Sequence, residues 1–291
     1  VTVLAVDIGG TKLAAATWDG ALGEVVRTPT GEDPWAALTG LLDPLAEGVQ
    51  AVGIGCGGPM QWPSGRVSPL NIPAWQGFPL RERIAERYGV PVRVHNDAVC
   101  MALGEHLAGG WGGQDLLGVV ASTGVGGGLV LGGRVVDGPS GNAGHVGHVC
   151  VDPNGPVCTC GARGCLEAVA RGPAVVAWAR EHGSSAVDGV ALAREAACGG
   201  EVAVAAFARA GRALGIAIAS VAALLDLHLV VIGGGLSQVP ELWSSLRTAL
   251  SEQSRLAFLD DLRVEPAALG QTAGLVGAAA LATGDRWWSG W

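Results

Sequence analysis

Several short stretches of the 291-residue chain carry residue types at spacings that can do chemistry. The first is Asp7-Ile8-Gly9-Gly10-Thr11-Lys12. Its glycines let backbone N–H groups approach an anion with no Cβ in the way, while Thr11 adds a hydroxyl donor and Lys12 a point charge. Asp7, at the end of an apolar run, is placed to hold Mg²⁺ directly or through water. The same residues also fit an ordinary Gly-Gly hairpin with an exposed lysine. The second stretch is Ser122-Thr123-Gly124-Val125-Gly126-Gly127-Gly128. Two glycine-rich hairpins, one per half of the chain, can grip a polyphosphate from both sides. Neither is a P-loop, because GxxxxGK[ST] is absent, nor a Rossmann turn, because a strand rather than a helix follows. A third cluster, Gly233-Gly234-Gly235, reads either as a strand-to-helix turn or as flat backbone for a base or ribose.

His95-Asn96-Asp97 sits where an apolar run gives way to a helical pattern. Asp97 suits a helix N-cap, where the dipole favours a carboxylate. It equally suits a general base that takes the proton of a substrate hydroxyl as the oxygen attacks phosphorus. Asn96 fits a second hydroxyl or the cap itself, and the two roles can coexist. His148, Cys158, Cys160 and Cys165 form H-x9-C-x-C-x4-C. Three thiolates and an imidazole suit tetrahedral Zn²⁺, and four protein ligands leave no open position, so a structural zinc is expected. Gly161 and Gly164 permit the turns that gather the sulfurs. His145 and Glu167 flank the cluster, and a zinc staple would lock both for binding. Glu167 also fits the first turn of a following helix. Cys56, Cys100, Cys150 and Cys198 are isolated and read as small core residues, with Cys150 the decoy nearest His148.

These residues need a scaffold, and the hydropathy pattern alternates strands with helices. Residues 3–8 read as a buried strand and 13–18 as its hairpin partner. Asp33-Pro34 opens a helix, with Asp as N-cap and Pro at the first position, and Leu38, Leu41, Leu42 and Leu45 line one face. Residues 51–56 form a second short strand, 80–88 a helix stopped by Gly89 and Pro91, and 92–95 a strand. Asn96-Asp97 begins a helix to about residue 108. Gly109-Gly110-Trp111-Gly112-Gly113 is the expected hinge. The pattern then restarts with a strand at 116–122, the second glycine turn over 123–128 and a strand at 129–131. This echo of residues 3–17 suggests a duplicated architecture. Residues 273–284 read as a small-residue helix in which Gly274 and Gly277 allow close packing.

Composition narrows the class. With 49% hydrophobic and 15% charged residues, a disordered chain is excluded. A formal net charge of −8 disfavours binding by neutralising nucleic-acid backbones. A nucleotide site needs only local positive charge, and Lys12 is the single lysine among the 18 Lys and Arg. Residues 1–8 lack a basic region, so no export signal is expected. The longest apolar stretch, 214–225, is too short to span about 30 Å of hydrocarbon and reads as a buried core helix. Seven cysteines, an odd number with three inside eight residues, point to metal binding in a reducing compartment, the cytoplasm. The terminal Trp287-Trp288-Ser289-Gly290-Trp291 suggests packing or a disordered end.

Together Asp7-x-Gly9-Gly10-Thr11-Lys12, Asn96-Asp97, Ser122-Thr123-Gly124-x-Gly126-Gly127-Gly128 and Cys158-x-Cys160-Gly161-x-x-Gly164-Cys165-x-Glu167 resemble the ROK-family sugar kinases, over residues 3–280. The resemblance implies an α/β, actin-like (ribonuclease H-like) duplicated fold of two domains with an interdomain cleft for ATP and sugar. The domains would be 1–112 with 272–291, through a returning last helix, and 113–271 carrying the zinc. It implies ATP and Mg²⁺, a structural Zn²⁺, a small-molecule sugar, no nucleic acid, no membrane, and a homodimer or homotetramer. Asp97 would be the general base. Asp7, Gly9, Gly10, Thr11, Lys12, Thr123, Gly124, Gly126, Gly234 and Gly235 would surround the nucleotide. Gly58, Asn71, Asn96, Asp97, His145, His148 and Glu167 would face the sugar.

One departure is informative. Most hexokinases of the family read E-x-G-H where this chain has His145-Val146-Gly147-His148, and the run from Ala143 to Gly161 is similar to that of bacterial N-acetylmannosamine kinases. An imidazole can donate where a carboxylate only accepts, which suits an acetamido carbonyl. The expected reaction is therefore phosphorylation of the 6-hydroxyl of an N-acylhexosamine, N-acetylmannosamine before glucose. The alternatives are a glucokinase or cyclitol kinase, and a sugar-sensing regulator without turnover. Regulators of this family carry a DNA-binding segment ahead of the first glycine turn, and a strand starting at Val3 leaves none expected here.

Overall fold

In the computed structural model, residues 1–284 are described; the Trp-rich tail lies outside the described residues. The chain runs β1 (Val3–Ile8), β2 (Lys12–Trp18), β3 (Val26–Pro29), α1 (Pro34–Leu42), β4 (Ala51–Cys56), β5 (Met60–Gln61), β6 (Arg66–Val67), α2 (Leu80–Tyr88), β7 (Val92–Asn96) and α3 (Asp97–Ala108). It continues with β8 (Leu116–Ala121), β9 (Val125–Leu131), β10 (Arg134–Val135), α4 (Leu166–Ala170), α5 (Gly172–Glu181), α6 (Gly189–Ala197), α7 (Glu201–Leu225), β11 (Leu229–Gly233), α8 (Pro240–Gln253), β12 (Arg263–Pro266) and α9 (Ala273–Thr283).

Two five-stranded sheets share one plan, in orders β3-β2-β1-β4-β7 and β10-β9-β8-β11-β12. In the first, β2 and β3 are antiparallel additions to a parallel core of β1, β4 and β7. Strand β4 is apolar on both faces and buried throughout, as the middle of a sheet covered on both sides requires, and β1 is apolar up to Asp7. Leu4, Val6, Ile8 and Ile54 pack with Leu38 and Leu42 of α1 and Leu80 and Ile84 of α2. Val3 and Ala5 face the other way, with Leu103 of α3 and Leu275 and Leu281 of α9. That layer is thin because α9 is made of small residues. A Cβ on Gly277 would fall 1.7 Å from the Cys100 carbonyl oxygen, so α9 reaches α3 only through a glycine. The expected close packing at Gly277 is therefore present, whereas Gly274 faces the Asp7 carboxylate instead.

The chain divides into two compact units: residues 1–118 with 128–144 and 267 onward, and residues 119–127 with 145–266. The expected divisions at 112/113 and 271/272 differ from these bounds. The run Gly109–Gly113 stays inside the first unit, where the Gly109 N–H closes α3 on Glu105 and the Trp111 indole donates to the Glu105 carboxylate at 2.9 Å. The second glycine turn is also shorter than the sequence suggests. Strand β9 starts at Val125, so Gly126, Gly127 and Gly128 lie in the strand. Glycine there serves packing rather than turning: a Cβ on Gly128 would sit 2.5 Å from Cα of Val99 in α3.

In the second unit, α7 packs against α4, α5, α6 and α8. Its 25 residues make it long and apolar enough to cross a membrane by length and composition, but 61% of its most apolar window is buried in the protein. The stretch 214–225 is thus the end of a longer core helix. Two cysteines depart from expectation: Cys56 and Cys100 are buried, but Cys150 and Cys198 are exposed. Cys198 follows the last turn of α6, and Cys150 stands on the loop that carries the His/Cys cluster described below, where no core reaches it.

Candidate active site

In the first unit, Asp7, Gly55 and His95 stand side by side across β1, β4 and β7, one register step before the strands end. Carboxyl ends of parallel strands are where such sheets leave room for ligands. Gly55 has no side chain, and a Cβ there would lie 3.2 Å from Cys100 Sγ and 3.5 Å from Asp97 Cα. The N-terminus of α3 therefore settles onto the sheet and brings Asp97 near Asp7. Asn96 is the N-cap of α3, its Oδ1 accepting the Ala98 N–H at 2.9 Å, and Asp97 Oδ1 accepts the same N–H at 2.8 Å. Asn96 thus supplies the N-cap, and Asp97 follows it as the first residue of the helix.

Burial raises Asp7 from its ordinary 3.8 to about 7, and the neighbouring Asp97 adds to the rise; Lys12 and Arg27 oppose it. A deep pair of carboxylate oxygens whose negative charge is offset only in part is a donor set that a hard cation such as Mg²⁺ fits, with Asp7 holding it. The raised pKa also fixes the sign of a pH effect. Folded Asp7 holds its proton to a higher pH than unfolded Asp7, so its contribution to stability is complete below pH 4 and is lost as pH rises towards 7. Asp7→Asn is expected to leave the metal-free melting temperature unchanged at pH 4 and to raise it at pH 8. The difference corresponds to about 2–4 kcal/mol after allowance for the exposed part of the side chain. Thermal melts of both proteins across that range check it, and an equal shift at both ends of it would contradict the assignment.

The first glycine turn joins β1 to β2. It is closed by Gly9 N–H donating to the Lys12 carbonyl at 3.0 Å and by Thr30 Oγ1 donating to the Gly9 carbonyl at 2.8 Å. Thr11 and Lys12 are exposed on it, and Lys12 Nζ lies 3.4 Å from Gln271 Oε1. Asn71 is a direct neighbour of this turn, since a Cβ on Gly10 would come within 2.4 Å of Asn71 Cβ. Gly58 lies on the same connection, where its carbonyl accepts the Leu70 N–H at 3.4 Å.

In the second unit the turn is Ser122-Thr123-Gly124, pinned from behind. Glu167 Oε2 accepts the Val125 N–H at 3.0 Å, and the Ser122 carbonyl accepts the Gly172 N–H at 2.7 Å. Glu167 does lie in the first turn of α4, and one of its oxygens also holds the glycine turn in place. Of the third cluster, Gly234 has φ +92° and a Cβ there would meet the Ala121 carbonyl oxygen at 2.3 Å, which accounts for it as a tight turn against β8. Gly235 has open space around it, as a surface for a ligand would need.

His148, Cys158, Cys160 and Cys165 converge, with their donor atoms all within 4.8 Å of one another. A tetrahedral zinc with bonds of about 2.3 Å holds its sulfurs about 3.8 Å apart. Cys160 Sγ and Cys165 Sγ are 3.7 Å apart, and Cys158 Sγ lies 3.8 Å from His148 Nδ1. Donor set and spacing both fit Zn²⁺. The turn that gathers them depends on Gly164, with φ +71° and a Cβ position 1.6 Å from the Asp152 carbonyl oxygen. Coordination through Nδ1 would fix the proton of His148 on Nε2, making that edge a donor. His145 and His148 share one helical turn with their rings nearly parallel, 15° apart, and centroids 6.2 Å apart.

Several contributors were not singled out in the sequence. Glu105 is fully buried in α3 and accepts the Ala268 and Leu269 N–H groups at 3.0 and 2.8 Å, tethering the loop that leads into α9. Arg27 acts on Asp7 from β3. His95 and Asp137 form a buried pair behind Asn96. The only signal for Glu105 was a carboxylate in an otherwise apolar helical pattern.

Two sheets of matching order, with a glycine turn and a strand-end carboxylate, define the duplicated, actin-like α/β fold of sugar kinases. The chain belongs to the ROK family, whose sequence profile matches residues 3–285. It is 38% identical over 295 residues to the N-acetylmannosamine kinase of Shigella flexneri, covering 98% of this chain and 100% of that one. Among solved structures it is 32% identical to a ROK family glucokinase from Streptomyces griseus in complex with glucose and AMPPNP, with a TM-score of 0.85 over 97% of this chain and 99% of that one. It is 39% identical to the ROK hexokinase from Thermus thermophilus, also with a TM-score of 0.85, over 97% and 98% of the two chains.

Proposed function

We propose that the chain is a sugar kinase that transfers the γ-phosphoryl group of ATP to the 6-hydroxyl of an N-acylhexosamine, N-acetylmannosamine before glucose. The observation that carries this reading is Asp97: a half-buried acidic side chain at the head of α3, close enough to the Asp7 carboxylate to push it up, on a helix whose N-cap is Asn96. Asp97 takes the hydroxyl proton as the oxygen attacks phosphorus, and Asn96 holds a neighbouring hydroxyl. In this reading Gly9, Gly10, Thr11, Lys12, Thr123, Gly124 and Gly126 serve the phosphates, Gly234 and Gly235 the nucleoside, and Gly58, Asn71, His145, His148 and Glu167 the sugar. Asp7 would hold Mg²⁺, which would supply charge neutralisation for the transferring group. The full-length likeness to an N-acetylmannosamine kinase and the donor capacity of His145 support the acetamido sugar.

A glucokinase is the second reading, favoured by the likeness to the Streptomyces enzyme. A coupled ADP-release assay on a sugar panel decides. We expect kcat/KM for N-acetylmannosamine to exceed that for glucose by at least about tenfold, and His145→Glu to narrow or invert that ratio. Preference for glucose would overturn the substrate, and the absence of turnover with every sugar of the panel would favour a binding regulator. The thiol-rich metal cluster supports a reducing compartment, the cytoplasm, and the family resemblance supports a homodimer or homotetramer, which light scattering tests.

A further inference from the structure

Strand β7 carries a fully buried histidine that this chemistry does not use. His95 is completely buried, and its Nε2 lies 3.0 Å from Oδ1 of Asp137, itself 7% exposed. Its other nitrogen, Nδ1, accepts the backbone N–H of Asn96 at 2.7 Å. A ring nitrogen that accepts a hydrogen bond carries no proton, so the proton sits on Nε2 and is donated to Asp137. The tautomer is thus dictated by the backbone of the residue that precedes Asp97. The other oxygen of Asp137, Oδ2, is buried with no hydrogen-bond partner among the described residues, and the imidazole N–H is the bond that offsets the burial of this carboxylate.

The surroundings hold the pair rigidly. The Trp62 ring lies 5.3 Å from the imidazole, and Gly141 lies so close to Trp62 that a Cβ would come within 2.7 Å of it. Asn142 accepts the Met60 N–H at 3.3 Å and donates to the Met60 carbonyl at 3.1 Å. Residues 137–142 are therefore fastened to β7 at one end and to β5 at the other, and His145 follows three residues later in the chain. No element of the fold requires a polar pair here, because an apolar pair of the same volume would fill the space without burying an unsatisfied oxygen.

We propose that His95 and Asp137 are positioning residues for the general base. Asp137 orients the imidazole through Nε2–H, Nδ1 holds the Asn96 N–H, and this fixes the peptide that leads into Asp97, and with it the aim of both the Asp97 carboxylate and the Asn96 amide. The proposal rests on the reading of Asp97 as the base.

The test uses the full chain with His95→Phe, Asp137→Leu and Asp137→Asn, measured by steady-state kinetics with the best sugar of the panel. Asparagine keeps an acceptor for Nε2–H; leucine and phenylalanine break the link. We expect His95→Phe and Asp137→Leu to lower kcat by about 10- to 100-fold with KM for ATP changed by less than about threefold, and Asp137→Asn to stay within about fivefold of the parent. Full kcat in His95→Phe, or equal losses in Asp137→Asn and Asp137→Leu, would overturn the proposal. Should the apolar variants not fold, ¹⁵N NMR of the unmodified protein still decides: an exchange-protected Nε2–H on His95 supports the pair, and a proton on Nδ1 overturns it. Asp97→Asn, assayed alongside, keeps the two readings apart. If it retains turnover, the base assignment fails by itself, whereas the tautomer and the asparagine rescue report on the pair alone.

Discussion

Asp97→Asn is expected to lower kcat by about 10²–10⁴-fold, the range that a positioned general base contributes, while leaving sugar affinity nearly intact. The substitution is unusually clean at this position. Asparagine retains the Oδ1 that accepts the Ala98 N–H, and Asn96 caps the same N–H independently, so α3 keeps its start. It also removes a negative charge that pushes Asp7 up. Loss of that repulsion makes ionised Asp7 less unfavourable in the folded protein, so the melting temperature near pH 7.5 should hold or rise. A dead enzyme that is no less stable is what a catalytic carboxylate predicts. A structural cap predicts the reverse, with activity falling only as far as stability does. Rapid-quench measurement of phosphoryl transfer with isothermal titration of the sugar separates the two, and near-normal transfer would remove Asp97 from the reaction.

The chemistry of this site was more legible in the sequence than its supports. Asp7, Lys12, Asp97 and the cysteine cluster announce themselves because residue type and spacing constrain what they can do. The duplicated sheet was legible too, since strand, glycine turn and strand recur in both halves, and the two observed sheets share one order. Glycine misled where it had a second use. Gly126, Gly127 and Gly128 resemble a loop by composition, yet they form strand, because the close approach of α3 demands a bare backbone at Gly128. The same ambiguity drew the expected hinge to Gly109–Gly113, where hydrogen bonds to Glu105 keep the segment within one unit. His95, Asp137 and Glu105 could not be found from spacing, because each takes its meaning from partners distant in sequence: Asp137 lies 42 residues from His95, and Leu269 lies 164 from Glu105. Exposed Cys150 shows the converse: it lies near His148 in sequence, yet its Sγ meets the Arg163 carbonyl at 3.7 Å and stays outside the cluster of donors.

Removing the zinc should have an effect almost as large as removing the base, by a different route. Cys165→Ser is expected to reduce bound zinc from about one per chain to near zero and to lower kcat/KM by more than about 10²-fold. Cys165 is buried and makes the 3.7 Å sulfur contact with Cys160, so serine leaves three donors around a space sized for a metal–thiolate bond. The free energy at stake is large, because structural zinc sites bind with apparent energies of about 10–16 kcal/mol, comparable to the entire stability of many domains. The loss should nevertheless stay local. The core of the second unit is built on α7, α8 and β11, which take no part in the cluster, so far-UV circular dichroism should change little. What the metal holds is the run from His145 to Glu167, and Glu167 in turn holds the second glycine turn through the Val125 N–H. Zinc loss should therefore raise KM for ATP as well as for the sugar, an outcome that a site serving the sugar alone would not give. Cys150→Ser and Cys198→Ser, both at exposed positions outside the donor set, should keep metal and activity. Fully active protein shown by elemental analysis to contain no zinc would refute the structural assignment, and a rise in KM confined to the sugar would refute the link through Glu167.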